Sequence, residues 1–300
     1  MNLQNDPSLS NKEMNFRVML ETEVNGKLKV LRENQERINQ SHTAYYDQEK
    51  NQQDVNQYYQ NIHFQTLNGK ELFKSLHNLL ETTHREQFSY KNSGHHLETW
   101  VDLHADGKYK SLYSGKQADP AIVIQSELET KVVLNEVPGE DGDILNIEHV
   151  VPQSWFRKKE PMRGDMHHLF YCEKGCNSFR GNKQYHDFPD FKPEAFTASK
   201  VVEECGMSEL EEFEPEYGKG MIARATLYFL MRYPDKILPE FKNKINIPLL
   251  LQWHADFPPN SEYEKHRNQA IFELQGNRNP FIDFAESASK VDFSFINVHH

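Results

Sequence analysis

The amino-acid sequence predicts an α+β fold that is mostly helical and is organised around a small sheet. Apolar side chains recur at helical spacing between residues 69 and 84, which predicts an amphipathic helix. Two short apolar stretches, Trp100–Leu103 and Tyr109–Tyr113, flank the turn residues Asp106 and Gly107 and predict a hairpin. With 37% hydrophobic residues the chain can bury a core, and a mean hydropathy of -0.81 indicates a very polar surface around it.

The first 55 residues are rich in Asn, Gln, Glu and Lys and differ in composition from the rest of the chain. Their apolar residues form no clean helical stripe, and Gly26 interrupts them. We therefore predict that residues 1–55 form a polar, helical N-terminal extension that packs loosely on the body. The body is predicted to span residues 56–285 and to be followed by a weakly patterned tail, 286–300.

Helices are also predicted in the C-terminal third of the body. Their ranges are Lys219–Tyr233, Pro248–His254 and Ser261–Gln275. The last of them begins with a capping box formed by Ser261 and Glu264, and Gly276 is expected to end it. Residues 114–142 are predicted to be irregular, because turn dipeptides occur there: Pro138-Gly139 and Asp141-Gly142.

The start of the chain and the cysteine content bear on its location. No apolar run approaches the roughly 18–20 residues that a membrane-spanning helix needs. The first residues, MNLQNDPSLSNKE, lack the features of a signal peptide. Three cysteines are an odd and low number, which argues against a disulfide framework although one bridge can form. We therefore predict a cytoplasmic protein with no membrane partner.

Cys172 and Cys176 are separated by three residues, and three interpretations of this pair stay open. They can be an apolar pair, a disulfide, or two ligands of a structural zinc ion. Zinc would need two more ligands, and three histidines are close in sequence: His167, His168 and His186. The chain has no second cysteine pair to complete such a site.

Charge is distributed unevenly along the chain. The formal net charge is -11, which by itself disfavours a nucleic-acid partner. Residues 151–184, however, contain seven Lys and Arg residues and three acidic ones, which gives a local charge of +4. At physiological salt a phosphate group responds to charges within about 8–10 Å, so the local excess matters more than the total. This segment is therefore suited to a polyanion.

The basic segment overlaps residues that are suited to phosphodiester hydrolysis. The reaction needs a base of near-neutral pKa to activate water, and His149 offers one. It is assisted by a hard cation, which prefers oxygen ligands such as those of Glu148 and Asn177. Arginine side chains can hold the phosphate, and three lie nearby: Arg157, Arg163 and Arg180.

The geometry of a strand limits how these residues can meet. Consecutive side chains on a strand face opposite ways, so Glu148 and His149 can share a site only where the strand ends or twists. Pro152 permits such an end, since proline cannot donate to a strand ladder. Asn177 is then expected on a short helix after a second strand, close to Gly175. A strand–loop–strand–helix unit would bring the base and the metal ligands together.

Several ordered blocks carry a resemblance to a known family. They are Glu148–Pro152, Asp165–Leu169, Asn177 with Arg180 and Asn182, Ala223–Ala225, and Gln275–Phe281. Together they resemble the signature of the endonuclease I family, whose members are non-specific nucleases with a ββα-metal, or His-Me finger, site. The likeness covers roughly residues 56–285, which the resemblance identifies as the nuclease domain.

The resemblance implies a function and a set of roles. His149 would be the general base, and Glu148 and Asn177 would bind a single Mg²⁺ ion, which Mn²⁺ or Ca²⁺ can replace in binding. The implied activity is hydrolysis of double-stranded DNA, or of RNA as well, with little sequence specificity and with 5′-phosphate ends. An inhibitor protein is compatible with such an enzyme, but no residue identifies one.

Other interpretations concern neighbouring residues and the function as a whole. His167 and His168 are expected to have structural hydrogen-bonding roles, and Asp165 to be a turn or orienting residue. Asn177 can also be a helix cap without a metal. The alternative functions are a nucleic-acid-binding protein with a degenerate nuclease site, and a zinc-stabilised interaction module. Cleavage of DNA with and without a chelator separates them.

Overall fold

The computed structural model describes residues 11–134, 146–189, 191 and 205–294, and most of their regular structure is helical. The α-helices are α1 (Asn11–Gln40), α2 (His42–Tyr45), α3 (Gln48–Tyr58), α4 (Gly69–Thr83), α5 (Tyr90–His96), α6 (Pro120–Leu134), α7 (Lys174–Arg180), α8 (Lys219–Arg232), α9 (Pro239–Lys242), α10 (Ile247–Asp256), α11 (Glu262–Gln275) and α12 (Pro280–Asp283). The strands are β1 (Tyr109–Lys110), β2 (Gln117–Ala118), β3 (Ile147–His149), β4 (Leu169–Tyr171), β5 (Gln184–Tyr185), β6 (Gly206–Glu209) and β7 (Glu212–Pro215).

Among the described residues, the strands form three small sheets. Strand β1 pairs with β2 and β3 pairs with β4, both in antiparallel fashion. Strand β7 lies between β5 and β6, parallel to β5 and antiparallel to β6. The predicted class, an α+β fold that is mostly helical, is confirmed. In the ranges that the structure covers, no helix has both the length and the apolar character needed to cross a bilayer.

Helix α8 lies at the centre of the main core. Every residue of this helix except Met221 is buried, and α10 and α4 pack against it. Trp253 of α10 and Phe213 of β7 belong to the same core. The helix also contacts the 3-10 turn Met166–His168, which leads directly into β4. The core therefore supports the β3–β4 pair.

The helices predicted over residues 69–84, 219–233, 248–254 and 261–275 are confirmed as α4, α8, α10 and α11. Helix α11 begins where the sequence predicted. The Ser261 side chain accepts a hydrogen bond from the backbone N–H of Glu264, and Gly276 ends the helix at φ 90°. Glycine adopts this left-handed conformation without the steric cost that a Cβ would bring.

The prediction that the N-terminal extension packs loosely is wrong for helix α1. This helix continues without a break through Gly26. Its Leu28 and Leu31 are buried in one cluster with Tyr109 and with Tyr171 of β4. A glycine inside a helix costs about 1 kcal/mol relative to alanine, and the burial of apolar side chains outweighs that cost. The packing partners lie far away in sequence, so local composition could not reveal them.

We predict that a chain starting at Val55 loses its folded structure, whereas a loosely packed extension would be dispensable for folding. The truncation removes a set of buried apolar residues: Leu28, Leu31, Ile38, Tyr45 and Tyr46. Each such burial contributes about 1.5–3 kcal/mol, and a domain's net stability is only about 5–15 kcal/mol. Thermal unfolding followed by circular dichroism measures the loss.

A point substitution provides the matched comparison for this truncation. Leu31→Ala in the full chain should lower the free energy of unfolding by about 2–5 kcal/mol. Val18→Ala on the same helix, where the side chain is 44% exposed, should change it by less than about 0.5 kcal/mol. A truncated chain that unfolds cooperatively near the wild-type temperature would show that the body is self-sufficient.

The predicted hairpin lies further along the chain than expected. Residues 97–101 form a π-helical turn, and Tyr109–Lys110 pairs with Gln117–Ala118 instead. Val101 and Leu103 are completely buried, and a short buried apolar run does not distinguish a strand from a helix.

Helix α6 occupies part of the region that was predicted to be irregular. The Asp119 side chain accepts a hydrogen bond from the backbone N–H of Ala121, and Pro120 is the first helical residue. An Asp before a Pro is a start signal for a helix, and the sequence interpretation missed it. The turns predicted at residues 138–139 and 141–142 lie outside the described residues.

Cys176 of α7 and Cys205 form a disulfide, and Cys172 is a buried free thiol. The interpretation of Cys172 and Cys176 as a disulfide is therefore wrong. Cys176 also cannot supply a thiolate to zinc. The complete burial of Cys172 agrees with its interpretation as an apolar residue. Structural disulfides persist in oxidising compartments, so this bridge argues against the reducing compartment that the cysteine content suggested.

Candidate active site

Strands β3 and β4 and helix α7 form the strand–loop–strand–helix unit that the sequence predicted. In the antiparallel β3–β4 pair, His149 lies opposite Leu169, and β3 ends at His149. The backbone N–H of Val150 still donates to the carbonyl of His168, 3.0 Å away. Helix α7 follows β4 after two residues and carries Asn177.

A cleft of about 410 Å³ opens where these three elements meet. Four of the predicted site residues line it: Glu148, His149, Asn177 and Arg180. The end of β3 thus places two consecutive side chains on one cleft, as the geometric argument required. A larger cavity of about 680 Å³ lies between the starts of α8 and α11 and contains none of the predicted site residues.

The imidazole of His149 is held in one orientation. Its Nε2 lies 3.0 Å from the backbone carbonyl of Arg163. A carbonyl can only accept a hydrogen bond, so Nε2 carries the proton and Nδ1 is the basic nitrogen. Burial lowers the pKa of His149 well below its usual value of 6.5, and the neighbouring His168 lowers it further. The side chain is therefore a neutral base at physiological pH.

The loop before β4 brings the carbonyl of Arg163 to the imidazole. Gly164 permits a close approach, because an added Cβ would lie 2.0 Å from the backbone oxygen of Phe88. Glu160 accepts the N–H of Gly164 and that of Tyr90. These contacts fix the loop against the start of α5.

Glu148 is almost completely buried, and two side chains donate to the same oxygen of its carboxylate. Its Oε1 accepts from the Tyr113 hydroxyl at 2.6 Å and from Nη1 of Arg180 at 2.7 Å. Burial raises the pKa of Glu148, and the positive charge of Arg180 opposes that rise. The pairing favours the carboxylate form in a buried position that by itself favours the protonated form.

Asn177 is half-buried on α7, and its amide is oriented by β3. Its Nδ2 donates to the backbone carbonyl of Ile147 at 3.2 Å. The amide oxygen Oδ1 is consequently the group that is left to accept a hydrogen bond or to bind a cation.

The structure gives the three predicted arginines different environments. Arg157 is exposed and does not line the cleft. Arg163 is buried, with Nε bonded to Gln153 and the guanidinium over the ring of Tyr90. The substrate-binding role of Arg157 and Arg163 stays a prediction.

Arg180 lines the cleft but is 1% exposed, and its guanidinium is bonded within the protein. Besides Glu148, it donates to the backbone carbonyls of His149 and Val150 at 3.1 and 2.9 Å. Its guanidinium also lies over the ring of Tyr185. These contacts join the end of α7 to the end of β3.

Two exposed lysines line the cleft, Lys158 and Lys174. Both lie in the basic segment 151–184, which the local charge had indicated. The fold adds that these two lysines line the cleft and that Arg157 does not. Among the described residues that line the cleft, Lys158 and Lys174 are the positively charged side chains that are exposed.

The expectation of structural roles for His167 and His168 agrees with their surroundings. Their Nε2 atoms contact the backbone carbonyls of Asn277 and Met162 at 3.2 and 2.6 Å. They belong to a 3-10 turn rather than to a strand. Asp165 caps this turn by accepting the N–H of His167, which agrees with a turn residue.

The donor set in the cleft suits a hard cation. One carboxylate and one amide oxygen are ligands that Mg²⁺ accepts while it keeps several waters. Within the described residues, no group of three or more His, Cys, Asp or Glu side chains could hold a metal. A multi-ligand zinc centre is therefore not present in that part of the chain.

A neutral imidazole beside hard oxygen donors, at the end of a strand and with lysines at the rim, is an arrangement suited to phosphodiester cleavage. Residues 68–286 match the model of the endonuclease I family. The chain belongs to this family, and the predicted resemblance is confirmed.

Relatives with assigned names include nucleases of both substrate classes. The chain is 30% identical over 190 residues to an extracellular ribonuclease of Bacillus amyloliquefaciens, which covers 58% of this chain and 62% of the relative. It is 31% identical over 124 residues to an extracellular deoxyribonuclease of Aeromonas hydrophila, with 41% and 50% covered. A periplasmic deoxyribonuclease of the same organism is similar to the same degree, with 48% of its length covered. The chain thus spans about half to three fifths of the length of these relatives.

The prediction of a cytoplasmic location is wrong by this comparison. All three relatives are named as extracellular or periplasmic proteins. The Cys176–Cys205 disulfide agrees with such a location. A low cysteine count argues against a framework of several disulfides, but it does not exclude a single bridge.

Proposed function

We propose that this protein is a metal-dependent endonuclease that hydrolyses phosphodiester bonds of DNA and RNA with little sequence specificity. The observation that carries the proposal is the arrangement of His149, Glu148 and Asn177 on one cleft. A base with a fixed tautomer and two hard oxygen donors are the parts that this reaction needs.

In this mechanism His149 activates the attacking water. Nδ1 accepts a proton from the water while Nε2 stays bonded to the carbonyl of Arg163. The water oxygen bonds to phosphorus, and the bond from phosphorus to the 3′ oxygen breaks. The departing 3′ oxygen takes a proton from solvent water and becomes a 3′-hydroxyl, and the other product has a 5′-phosphate. The low pKa of the imidazole keeps the base unprotonated before each turnover.

Glu148 and Asn177 would hold a single Mg²⁺ through the Glu148 carboxylate and through Oδ1 of Asn177. When bound, the ion would offset negative charge on the phosphate and on the leaving oxygen. Arg180 opposes protonation of Glu148 and fixes the end of β3. Lys158 and Lys174 attract the phosphate backbone at the rim of the cleft.

The proposed substrates and location follow the relatives. Those relatives are named as ribonucleases and deoxyribonucleases, so we propose that both nucleic acids are cleaved. The roles that we assign to the cleft residues act on the phosphate backbone, which is common to all sequences, so we propose little sequence specificity. We propose that the enzyme works outside the reducing cytoplasm, where the Cys176–Cys205 disulfide persists.

The test is a cleavage assay with supercoiled plasmid, linear duplex DNA and single-stranded RNA, each with Mg²⁺ and with excess chelator. We expect cleavage of all three in Mg²⁺ and none in chelator. End labelling of the products should detect 5′-phosphate and 3′-hydroxyl groups. A protein that binds these nucleic acids but leaves them intact in Mg²⁺ and Mn²⁺ would instead be a binding protein with a degenerate site.

We predict that the lysines at the rim account for part of the salt dependence of DNA binding. Removing one phosphate contact should reduce the slope of log affinity against log salt by about 0.9 for duplex DNA. Lys158→Ala and Lys174→Ala should each show this change. Filter binding or fluorescence anisotropy across a salt series, in chelator, measures it without cleavage.

The matched control for this series is Lys29→Ala on helix α1, whose side chain is 79% exposed and lies outside the cleft. It should leave the slope unchanged. Arg157→Ala tests the original expectation for that residue. A slope change equal to that of Lys174→Ala would return Arg157 to the binding surface, and unchanged slopes for both lysines would remove the rim from it.

A further inference from the structure

Tyr113 contacts the proposed metal-binding carboxylate from a distant part of the chain. It lies in the loop between β1 and β2 and is completely buried. Its hydroxyl donates to Oε1 of Glu148 at 2.6 Å, across 35 residues of sequence. The hydroxyl also lies 2.9 Å from that of Tyr185. None of the roles assigned so far involves Tyr113.

The loop that carries Tyr113 is fixed to the catalytic unit. The backbone N–H of Leu112 donates to the carbonyl of Tyr171 at 3.0 Å, at the end of β4. The Ser111 hydroxyl accepts the backbone N–H of Glu173, the residue before α7. The position of the Tyr113 hydroxyl is therefore set relative to both β4 and α7.

The two side-chain donors to Glu148 converge on the same oxygen. Tyr113 and Nη1 of Arg180 both bond Oε1. A guanidinium left alone with a carboxylate favours a two-pronged pair that occupies both oxygens. The Tyr113 hydroxyl opposes this rotation because it holds Oε1 from a second direction. Oε2 is then the oxygen to which neither side chain donates, and Glu148 and Asn177 line the same cleft.

We propose that Tyr113 is a positioning residue that selects which oxygen of Glu148 faces the metal site. The inference rests on the proposed function, since it requires that Glu148 bind a divalent cation. Groups that orient a metal ligand by hydrogen bonding commonly change metal affinity or activity by about 10–100-fold when they are removed.

The experiment uses Tyr113→Phe, which removes only the hydroxyl and keeps the ring packed against Phe213. Binding of Mn²⁺ is measured by calorimetry in a His149→Ala background, without nucleic acid. We expect the dissociation constant to rise about 10-fold. In the otherwise wild-type enzyme, the Mg²⁺ concentration for half-maximal cleavage should rise similarly, while kcat at saturating Mg²⁺ changes less than about 3-fold.

Tyr109→Phe is the matched control. Tyr109 is another buried tyrosine, and its hydroxyl donates to the backbone carbonyl of Glu98 instead of to the cleft. It should leave Mn²⁺ binding unchanged, and circular dichroism should show that both variants fold. A third variant, Tyr185→Phe, loses contacts to the Tyr113 hydroxyl and to the carbonyl of Val150 but none to Glu148. It should change the dissociation constant less than about 3-fold.

The outcomes separate this inference from the proposed function. If the His149→Ala parent binds no Mn²⁺, or if wild-type protein cleaves in chelator, the metal site and the inference both fall. If the parent binds Mn²⁺ and Tyr113→Phe binds it equally well, the inference alone is overturned. Equal losses in Tyr113→Phe, Tyr109→Phe and Tyr185→Phe would indicate general loosening and would also overturn it.

Discussion

His149→Ala should reduce cleavage by about 10²–10⁴-fold, the usual contribution of a general base. The substitution removes the nitrogen that accepts the proton, while Glu148 and Asn177 stay in place to bind the cation. We therefore expect the affinity for Mn²⁺ and for DNA to be retained within a few fold. Single-turnover cleavage and equilibrium binding of the same preparation give both numbers.

The matched control for this variant is His254→Ala. The two histidines are equally buried, each 6% exposed, and each contacts a backbone carbonyl through Nε2. His254 lies on α10, away from the cleft, so its removal should affect stability but not the chemical step. Added imidazole should restore part of the activity of His149→Ala only. A folded, metal-bound His149→Ala protein that cleaves at near the wild-type rate would contradict the assignment.

The pH profile follows from the same contacts. Burial lowers the pKa of His149 below 6.5, and the base acts only when it is neutral. Activity should therefore hold as pH falls through 6.5 and decline only at more acidic pH. Steady-state kcat/KM across pH 4–8, with correction for unfolding, measures the midpoint, and a midpoint above 6.5 would contradict the buried, neutral imidazole.

The part of the site that the sequence could predict is local. Glu148, His149 and Asn177 lie within one strand–loop–strand–helix unit, so their spacing and the neighbouring proline already limited how they could meet. Similarly, Ser261 and Gly276 bound a helix through contacts within a few residues of themselves. Such signals need no knowledge of the rest of the fold.

The features of the site and the fold that the sequence did not predict depend on contacts between residues far apart in the chain. Tyr113 reaches Glu148 from another loop, and Leu31 is buried in a cluster with Tyr171 of β4. A polar composition suggested a loose N-terminal extension, because the buried side of α1 has few apolar residues and its partners could not be identified. The cysteine count likewise could not reveal that Cys176 pairs with a residue far along the chain.

Arg180 shows how the same residue type can have a different role from the one its charge suggests. The sequence predicted a phosphate contact, but the guanidinium is buried and bonded to Glu148 and to two backbone carbonyls. A buried carboxylate that loses its partner is left as an uncompensated charge. The contacts therefore favour a role in stabilising the site over direct binding of substrate.

We predict that Arg180→Met lowers the free energy of unfolding by about 3–5 kcal/mol, the usual cost of breaking a buried ion pair, and reduces cleavage by about 10–100-fold through a misplaced Glu148. The slope of log DNA affinity against log salt should stay unchanged, because no phosphate contact is lost. Adding Glu148→Gln to Arg180→Met should recover part of the stability, since it removes the uncompensated charge, without recovering cleavage. Chemical denaturation, cleavage kinetics and the salt series are measured on the single and double variants. A phosphate-binding Arg180 would give the reverse pattern, in which stability is preserved and the salt slope falls by about 0.9.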